Sequence, residues 1–138
     1  MPITPNFMER LMLLRLNKGP GPMLDVFGAL AFKAVSAAFN LGVFEALSGG
    51  PLTAAETARQ IKASEGGTTL LIEALETIGY VKKQDGRYAN TAMTVKWVLR
   101  SSPTSIAGLF AHADDVLEVL PKVVTKLRAM SPMLKSNV

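Results

Sequence analysis

The sequence predicts a mainly α fold: a winged helix-turn-helix-like domain with N-terminal helices and a small β-hairpin. Two short helix patterns, over about 53–61 and 68–78, follow one another across a small-residue loop. A hairpin pattern with Asp85-Gly86 at its turn comes directly after them. Helix, turn, helix and hairpin in this order are the elements of a winged domain. A long apolar helix pattern precedes all of them.

The N-terminal helix patterns carry the candidate surface for a second copy of the chain. The first covers about 6–17 and ends at the glycine–proline alternation of 18–22, which cannot sustain a helical hydrogen-bond ladder. The second covers about 23–40 and is apolar nearly all round. Such a helix is buried on more than one side, so it is either the central core helix or a helix that also contacts a partner subunit. The candidate interface residues are Leu11, Met12, Phe27, Leu30, Ala31, Ala34 and Phe39.

The winged segment contains clear start and stop signals. Thr53 with Glu56 three residues later predicts a capping box at the start of the first short helix. Gly66-Gly67 predicts a loop, so the second short helix is expected to begin at Thr68 or Thr69 and to stop at Gly79. Leu70, Ala74 and Leu75 lie on its predicted buried stripe. After the hairpin, Thr91 is predicted to cap a further short helix.

The C-terminal region predicts one long, kinked helix. After the break at 101–103, apolar residues recur at helical spacing over about 104–120. Pro121 is expected to kink or restart this helix, and Ser131-Pro132 is expected to end it. The chain therefore divides into an arm over 1–22, a winged domain over 23–100 and a kinked helix over 101–138.

The composition excludes several kinds of site. There is no cysteine, so disulfides, thiolate metal sites and cysteine nucleophiles are excluded. The single histidine, His112, excludes a multi-histidine metal site. No glycine-rich loop follows a predicted strand, so no phosphate-binding motif is present. We predict no catalytic, cofactor-binding or metal residue. Charged residues interrupt every apolar stretch, so we expect no signal peptide, no membrane partner and a cytoplasmic location.

The charge pattern argues against DNA as a partner. In a DNA-binding domain of this type, the second helix enters the major groove. Between 68 and 78 it has no Lys or Arg, and Glu73 and Glu76 lie on its exposed side, where they would repel phosphates. The hairpin carries Lys82, Lys83 and Arg87, which leaves a wing contact open. A stand-alone winged-helix regulator therefore remains the alternative interpretation.

Four segments together resemble the N-terminal domain of S-adenosylmethionine-dependent small-molecule O-methyltransferases. They are 37–47 (AAFNLGVFEAL), 50–58 (GPLTAAETA), 70–81 (LLIEALETIGYV) and 88–91 (YANT), and the resemblance covers about 25–130. It implies an intertwined homodimer built on the N-terminal dimerisation helices, and a lid over the substrate. It also implies that the helix with Phe110 and His112 lines a substrate or ligand pocket.

In that family the methyl donor and the catalytic base lie in a following Rossmann-like domain. The resemblance therefore implies that this chain has no cofactor of its own and is not catalytic alone, and that S-adenosylmethionine enters only if such a domain follows. Whether the chain is part of an enzyme stays open at this stage. The further alternative is a non-catalytic dimer that binds a small ligand.

Overall fold

The computed structural model describes residues 6–10 and 22–135. Its helices and strands follow one another as α1 (Phe7–Arg10), α2 (Pro22–Leu41), α3 (Val43–Ala46), α4 (Ala54–Ile61), α5 (Glu65–Thr77), β1 (Val81–Gln84), β2 (Arg87–Asn90), α6 (Ala92–Trp97), α7 (Ala107–Ala111) and α8 (Ala113–Lys135). The mainly α, winged-helix-like prediction is confirmed. Two helices, α4 and α5, precede an antiparallel hairpin, and the long α2 packs on α5 and α7.

The two halves of α2 have different surroundings. In its C-terminal half Val35, Ala38 and Phe39 are buried in the core, whereas the N-terminal half is mostly exposed. By length and composition, the stretch Met23–Leu41 is apolar enough to cross a bilayer. Here its C-terminal half instead packs against the remainder of the domain.

The predicted capping box at the start of α4 is confirmed. The Thr53 hydroxyl accepts the Glu56 backbone N–H at 3.1 Å, and the Thr53 N–H donates to Glu56 Oε2 at 2.8 Å. These two bonds satisfy amides that the first turn of a helix leaves unpaired.

The predicted start of α5 is wrong. This helix begins at Glu65, and Gly66-Gly67 lie inside its first turn. Ser64 caps it by accepting the Gly67 N–H at 3.3 Å. Two glycines disfavour a helix by about 1 kcal/mol each relative to alanine. The Ser64 cap offsets part of that preference.

The hairpin has the predicted two-residue turn. Asp85 and Gly86 both have positive φ angles, 51° and 75°, which give a turn that matches the twist of the strands. Tyr88, on β2, is buried and pairs with Leu52 through backbone hydrogen bonds of 3.0 and 2.7 Å. The hairpin is thereby attached to the chain that enters α4.

The end of the hairpin is fixed by a small polar cluster around the Tyr80 carbonyl. The Tyr80 carbonyl accepts the Thr91 N–H, the Thr91 hydroxyl at 3.1 Å and the Thr94 hydroxyl at 2.6 Å. Thr91 occupies the cap position of α6, but its side chain accepts no helix amide. Thr91 thus stands at the predicted cap position, and its hydroxyl donates to the Tyr80 carbonyl instead of accepting a helix N–H.

The C-terminal prediction needs two corrections. The continuous helix over 104–120 is broken at His112, which ends the five-residue α7 and adjoins α8. Phe110 is buried against Phe32 and Phe39, with ring centroids 5.9 Å away in each case, and this packing attaches α7 to α2. Beyond the break, α8 continues through Pro121 and Pro132 to Lys135. Each proline removes one backbone N–H donor from the helix without ending it.

Candidate functional site

An apolar groove lies between α2 and the end of α5. It has a volume of about 350 Å³ and is lined by Phe27, Leu30, Ala31, Ala34, Ala74, Thr77 and Ile78. The one hydroxyl in this lining, on Thr77, donates to the Glu73 carbonyl at 2.9 Å within its own helix. The groove therefore offers a partner a mostly apolar surface.

The structure brings four predicted interface residues together in this groove. Phe27 and Leu30 are exposed, Leu30 to 62% of its surface, and Ala31 and Ala34 are partly buried beside them. They recur at three and four residues along one side of α2, as in a helix that packs on a neighbour. The two other N-terminal candidates, Leu11 and Met12, lie outside the described residues.

Phe39 does not belong to this surface, and its assignment to the interface is corrected. Only 1% of its surface is exposed, because its ring packs on Phe110 in the core of its own chain. The central carbon of the Arg100 guanidinium lies 4.5 Å from the centroid of the Phe39 ring, which is a cation–π contact. The apolar periodicity of α2 could not separate the core half of the helix from the exposed half, because both are equally apolar.

Leu70 extends the exposed surface along α5. The sequence places it on the buried stripe, but it is 71% exposed, and Ala74 one turn later is exposed as well. Leu70, Ala74 and Thr77 are spaced at four and three, so they lie on one side of the helix. An exposed leucine on this row continues the apolar lining of the groove.

A second apolar pocket of about 300 Å³ lies where α2, α7 and α8 meet. Its lining is Phe32, Gly108, Leu109, His112, Ala113 and Leu117. The predicted pocket residue His112 is in this lining, and its Nδ1 lies 3.7 Å from Asp115 Oδ2 at the exposed rim. Phe110 is not in the lining, since its ring is buried in the core, so its assignment to the pocket is corrected. Leu109 and Leu117 are among the apolar residues that recur at helical spacing over about 104–120, whereas nothing in the sequence pointed to Phe32.

Two basic side chains of the hairpin are engaged within the domain, whereas the acidic side chains of α5 are exposed. Glu73 and Glu76 are exposed on α5, as predicted. On the hairpin, Arg87 binds the Glu56 carboxylate and the Pro51 carbonyl. The Lys83 ammonium lies 5.2 Å from the centre of the Tyr88 ring, and its interaction with Tyr88 raises the pKa of Lys83. Two of the three basic side chains of the wing therefore have partners in their own chain.

The described residues do not fit a nucleoside cofactor such as S-adenosylmethionine. Such sites use a strand that leads through a glycine-rich turn into a helix. Over 22–135, β1 leads into a hairpin turn, and β2 is followed by Thr91 and then α6, with no glycine between them. We therefore assign no methyl-transfer step to these residues.

The winged fold and the groove between α2 and α5 lie within the segment that a known family covers. Residues 24–100 match the O-methyltransferase dimerisation domain. The chain belongs to this family, so the family resemblance drawn from the sequence is confirmed.

Known relatives agree with this assignment. Over 76 residues the chain is 32% identical to 3-hydroxy-5-methyl-1-naphthoate 3-O-methyltransferase of Streptomyces sahachiroi, covering 55% of this chain and 22% of the relative. The structure of PigF with SAH has a TM-score of 0.71 at 26% identity, covering 79% of this chain and 32% of that one. Human N-acetylserotonin methyltransferase in complex with SAM has a TM-score of 0.57 at 27% identity, covering 81% and 31%. The chain thus spans between about a fifth and a third of the length of these relatives.

Proposed function

We propose that this chain forms a homodimer through the exposed half of α2, and that it serves as the dimerisation and substrate-lid part of an O-methyltransferase. The observation that carries the proposal is the groove between α2 and α5. Large apolar side chains that stay exposed in a folded chain mark interaction surfaces. The family to which the chain belongs is a dimerisation domain, which makes a second copy the natural occupant.

The lid role rests on the second pocket. Its lining is apolar apart from His112, and ligand sites combine an apolar wall with a few polar groups that orient the ligand. Two of the related structures hold SAH and SAM, respectively. In this proposal the chain supplies an apolar wall to a substrate, and a methyl-donor site, where one exists, lies outside the described residues.

Association is tested by measuring the mass of the 138-residue chain over a range of concentrations by sedimentation equilibrium. We expect a dimer for the wild type. Leu30→Asp puts a charge into the groove and would have to bury it on association, so its dimer should dissociate. Because Leu30 is exposed in the single chain, the helix content of the variant should change little.

Val95→Asp is the matched control. Val95 is an exposed apolar residue on α6 and does not line the groove. We expect this variant to remain dimeric. A wild-type chain that stays monomeric at all concentrations, or a Leu30→Asp variant as dimeric as the wild type, contradicts the proposed association surface.

A non-catalytic dimer that binds a small apolar ligand is the second candidate, and the same pocket favours it. The lid role and the self-sufficient ligand-binding role are distinguished by titrating the chain with a hydroxylated naphthoate. Binding is monitored by NMR through the backbone amide of His112. Binding by the isolated chain supports a self-sufficient ligand site, whereas no binding fits a pocket wall that is only one part of a larger site.

We propose no DNA-binding role. The exposed carboxylates of α5 and the engagement of Arg87 by Glu56 both weaken the attraction for phosphates that such a role needs. A gel-shift experiment at low salt tests this, and salt-sensitive retardation of mixed DNA would favour the regulator instead.

A further inference from the structure

An exposed apolar face runs along α8, beyond the segment that the family match covers. Its five side chains each keep between 44% and 62% of their surface exposed, and they are Val119, Leu120, Val123, Val124 and Leu127. At about 100° per residue around the helix axis, these side chains fall within an arc of about 140°. Polar side chains occupy the opposite side of the helix. A helix with two such sides is suited to a boundary between an apolar layer and water.

The charges of α8 flank this apolar face on both sides. Lys126 lies next to Val119 at one border of the arc, and Arg128 lies just beyond Val124 at the other border. Long basic side chains in such positions lay their methylene stems along the apolar surface and extend their charged ends to its rim. The acidic Glu118 lies nearly opposite the centre of the arc. The apolar face is therefore bordered by cations and kept apart from the nearest carboxylate.

The cations of α8 face solvent. Lys122, Lys126 and Arg128 are all exposed, and over 117–129 these three cations stand against the single carboxylate of Glu118. The ion pairs between described residues lie elsewhere in the chain, on the hairpin, at Arg100 and at His112. The surface thus combines exposed apolar area with local positive charge. A partner that matches it must supply an apolar layer bounded by anions.

We propose that α8 binds the surface of a bilayer that contains anionic lipids. The helix lies in the plane of the membrane, with its apolar face among the acyl chains and Lys126 and Arg128 at the lipid phosphates. An anionic bilayer offers phosphates on both sides of such a helix, which matches the two cationic borders. An acidic protein would match them only if carboxylates lined both walls of an apolar groove.

This location differs from a membrane span. Charges that interrupt every apolar stretch, from which no membrane partner is expected, disfavour a spanning helix. A helix that lies on the membrane surface instead requires charges on its polar side, because that side stays in water and among the headgroups. The alternation of apolar and charged residues along α8 therefore fits a surface-bound helix.

Co-sedimentation of the 138-residue chain with lipid vesicles tests the proposal. The vesicles contain either phosphatidylcholine alone or phosphatidylcholine mixed with the anionic lipid phosphatidylserine. We expect binding to the mixed vesicles to be about tenfold or more stronger than binding to phosphatidylcholine alone, since each cation near an anionic surface strengthens binding about fivefold. Added salt should weaken this binding, because it screens the attraction between the cations and the bilayer surface.

Two double variants separate the apolar contribution from the electrostatic one. Val124→Gln with Leu127→Gln makes the apolar face polar, whereas Lys126→Gln with Arg128→Gln removes the cations at its borders. We expect each double variant to bind the mixed vesicles about tenfold or more weakly than the wild type. Glutamine is a good helix former, so the circular dichroism of both variants should remain that of the wild type.

Arg59→Gln with Lys82→Gln is the matched control. It also removes one arginine and one lysine, both exposed, but from α4 and β1 instead of α8. Its net charge equals that of the variant without border cations, so a general attraction of a basic chain to anionic lipid would affect both alike. We expect the control to bind the mixed vesicles as the wild type does.

Three outcomes would overturn the proposal. They are a wild type that does not bind the mixed vesicles, an apolar-face variant that binds as tightly as the wild type, and a control that loses as much binding as the variant without border cations. Binding to soluble polyglutamate without binding to vesicles would assign α8 to an acidic protein instead. The mass of the chain without lipid tests the homodimer separately, so a monomer that binds vesicles overturns only the dimer, and a dimer that does not bind them overturns only this inference.

Discussion

The Arg87 guanidinium on β2 makes a two-point contact with the Glu56 carboxylate on α4. Arg87 Nη1 lies 2.9 Å from Glu56 Oε2, and Nη2 lies 3.3 Å from Oε1. The same carboxylate accepts the Thr53 N–H of the capping box at 2.8 Å. One side chain therefore caps a helix and holds the wing against it, although these residues are 31 positions apart in the sequence.

Glu56→Gln should flatten the acid end of the pH–stability profile. The Thr53 backbone N–H, and then Arg87, hold the pKa of Glu56 below its usual value of 4.5. A carboxyl whose pKa is lowered by folding stabilises the fold above its unfolded pKa, and that stability is lost as the pH falls through the folded pKa. Thermal melts from neutral pH to about pH 3 should show the wild type losing this contribution below pH 4.5.

Because the glutamine has no titratable charge, its own melting curve should depend less on pH over the same window. The pair is partly exposed, so salt should reduce the difference between the two proteins. Parallel pH profiles would show that Glu56 does not gain its stabilising partners on folding.

Thr94→Val should lower the free energy of unfolding by about 1 kcal/mol. Thr94 is fully buried, and its hydroxyl donates to the Tyr80 carbonyl at 2.6 Å. Valine keeps the shape of the side chain but removes the donor. The carbonyl retains the Thr91 N–H and hydroxyl, which keeps the loss modest.

Thr69→Val is the matched control for urea denaturation of that variant. Its hydroxyl bonds only to the Glu65 carbonyl one turn earlier in the same helix. We expect a change within about 0.5 kcal/mol. Equal effects of the two substitutions would argue against a special role for the Tyr80 cluster.

Gly86→Ala should destabilise the hairpin by about 1–2 kcal/mol. The glycine has φ of 75°, and no atom lies within 4 Å of where a Cβ would stand. The whole effect is therefore conformational rather than a clash. Asp85→Asn is the control, since asparagine tolerates the positive φ at this position. Two-dimensional NMR of the strand amides, combined with urea melts, would detect a loss of hairpin structure that spares α4 and α5. An alanine at this position that leaves the hairpin as stable as in the wild type would contradict the assigned turn.

Phe39→Ala and Leu30→Ala should separate folding from association. Phe39 is packed in the core, so its truncation should cost about 3–5 kcal/mol of unfolding free energy. Leu30 is exposed in the single chain, so its truncation should leave the monomer's stability within about 0.5 kcal/mol and weaken the dimer instead. Urea denaturation at low concentration gives the first quantity and sedimentation equilibrium the second. If Phe39→Ala changed only the association, the burial of this ring would be wrong.

Local signals in the sequence determined most of the elements. The Thr53–Glu56 spacing predicts a capping box, and Asp85-Gly86 predicts a two-residue turn, because each motif satisfies backbone geometry within a few residues. The long apolar pattern of α2 also predicts its helix, and its width predicts burial on more than one side. The family followed from short motifs at fixed spacing.

Tertiary packing decided what local signals could not. Phe39 is a core residue and Leu30 an exposed one, although both lie on an apolar helix, because α5 and α7 cover only one half of α2. The periodicity of a sequence predicts which side of a helix is apolar. It does not predict how far along the helix a neighbouring element covers that side, because this depends on the packing of distant segments. The groove, the pocket and the Glu56–Arg87 pair all arise from such packing, so they emerged only with the three-dimensional structure.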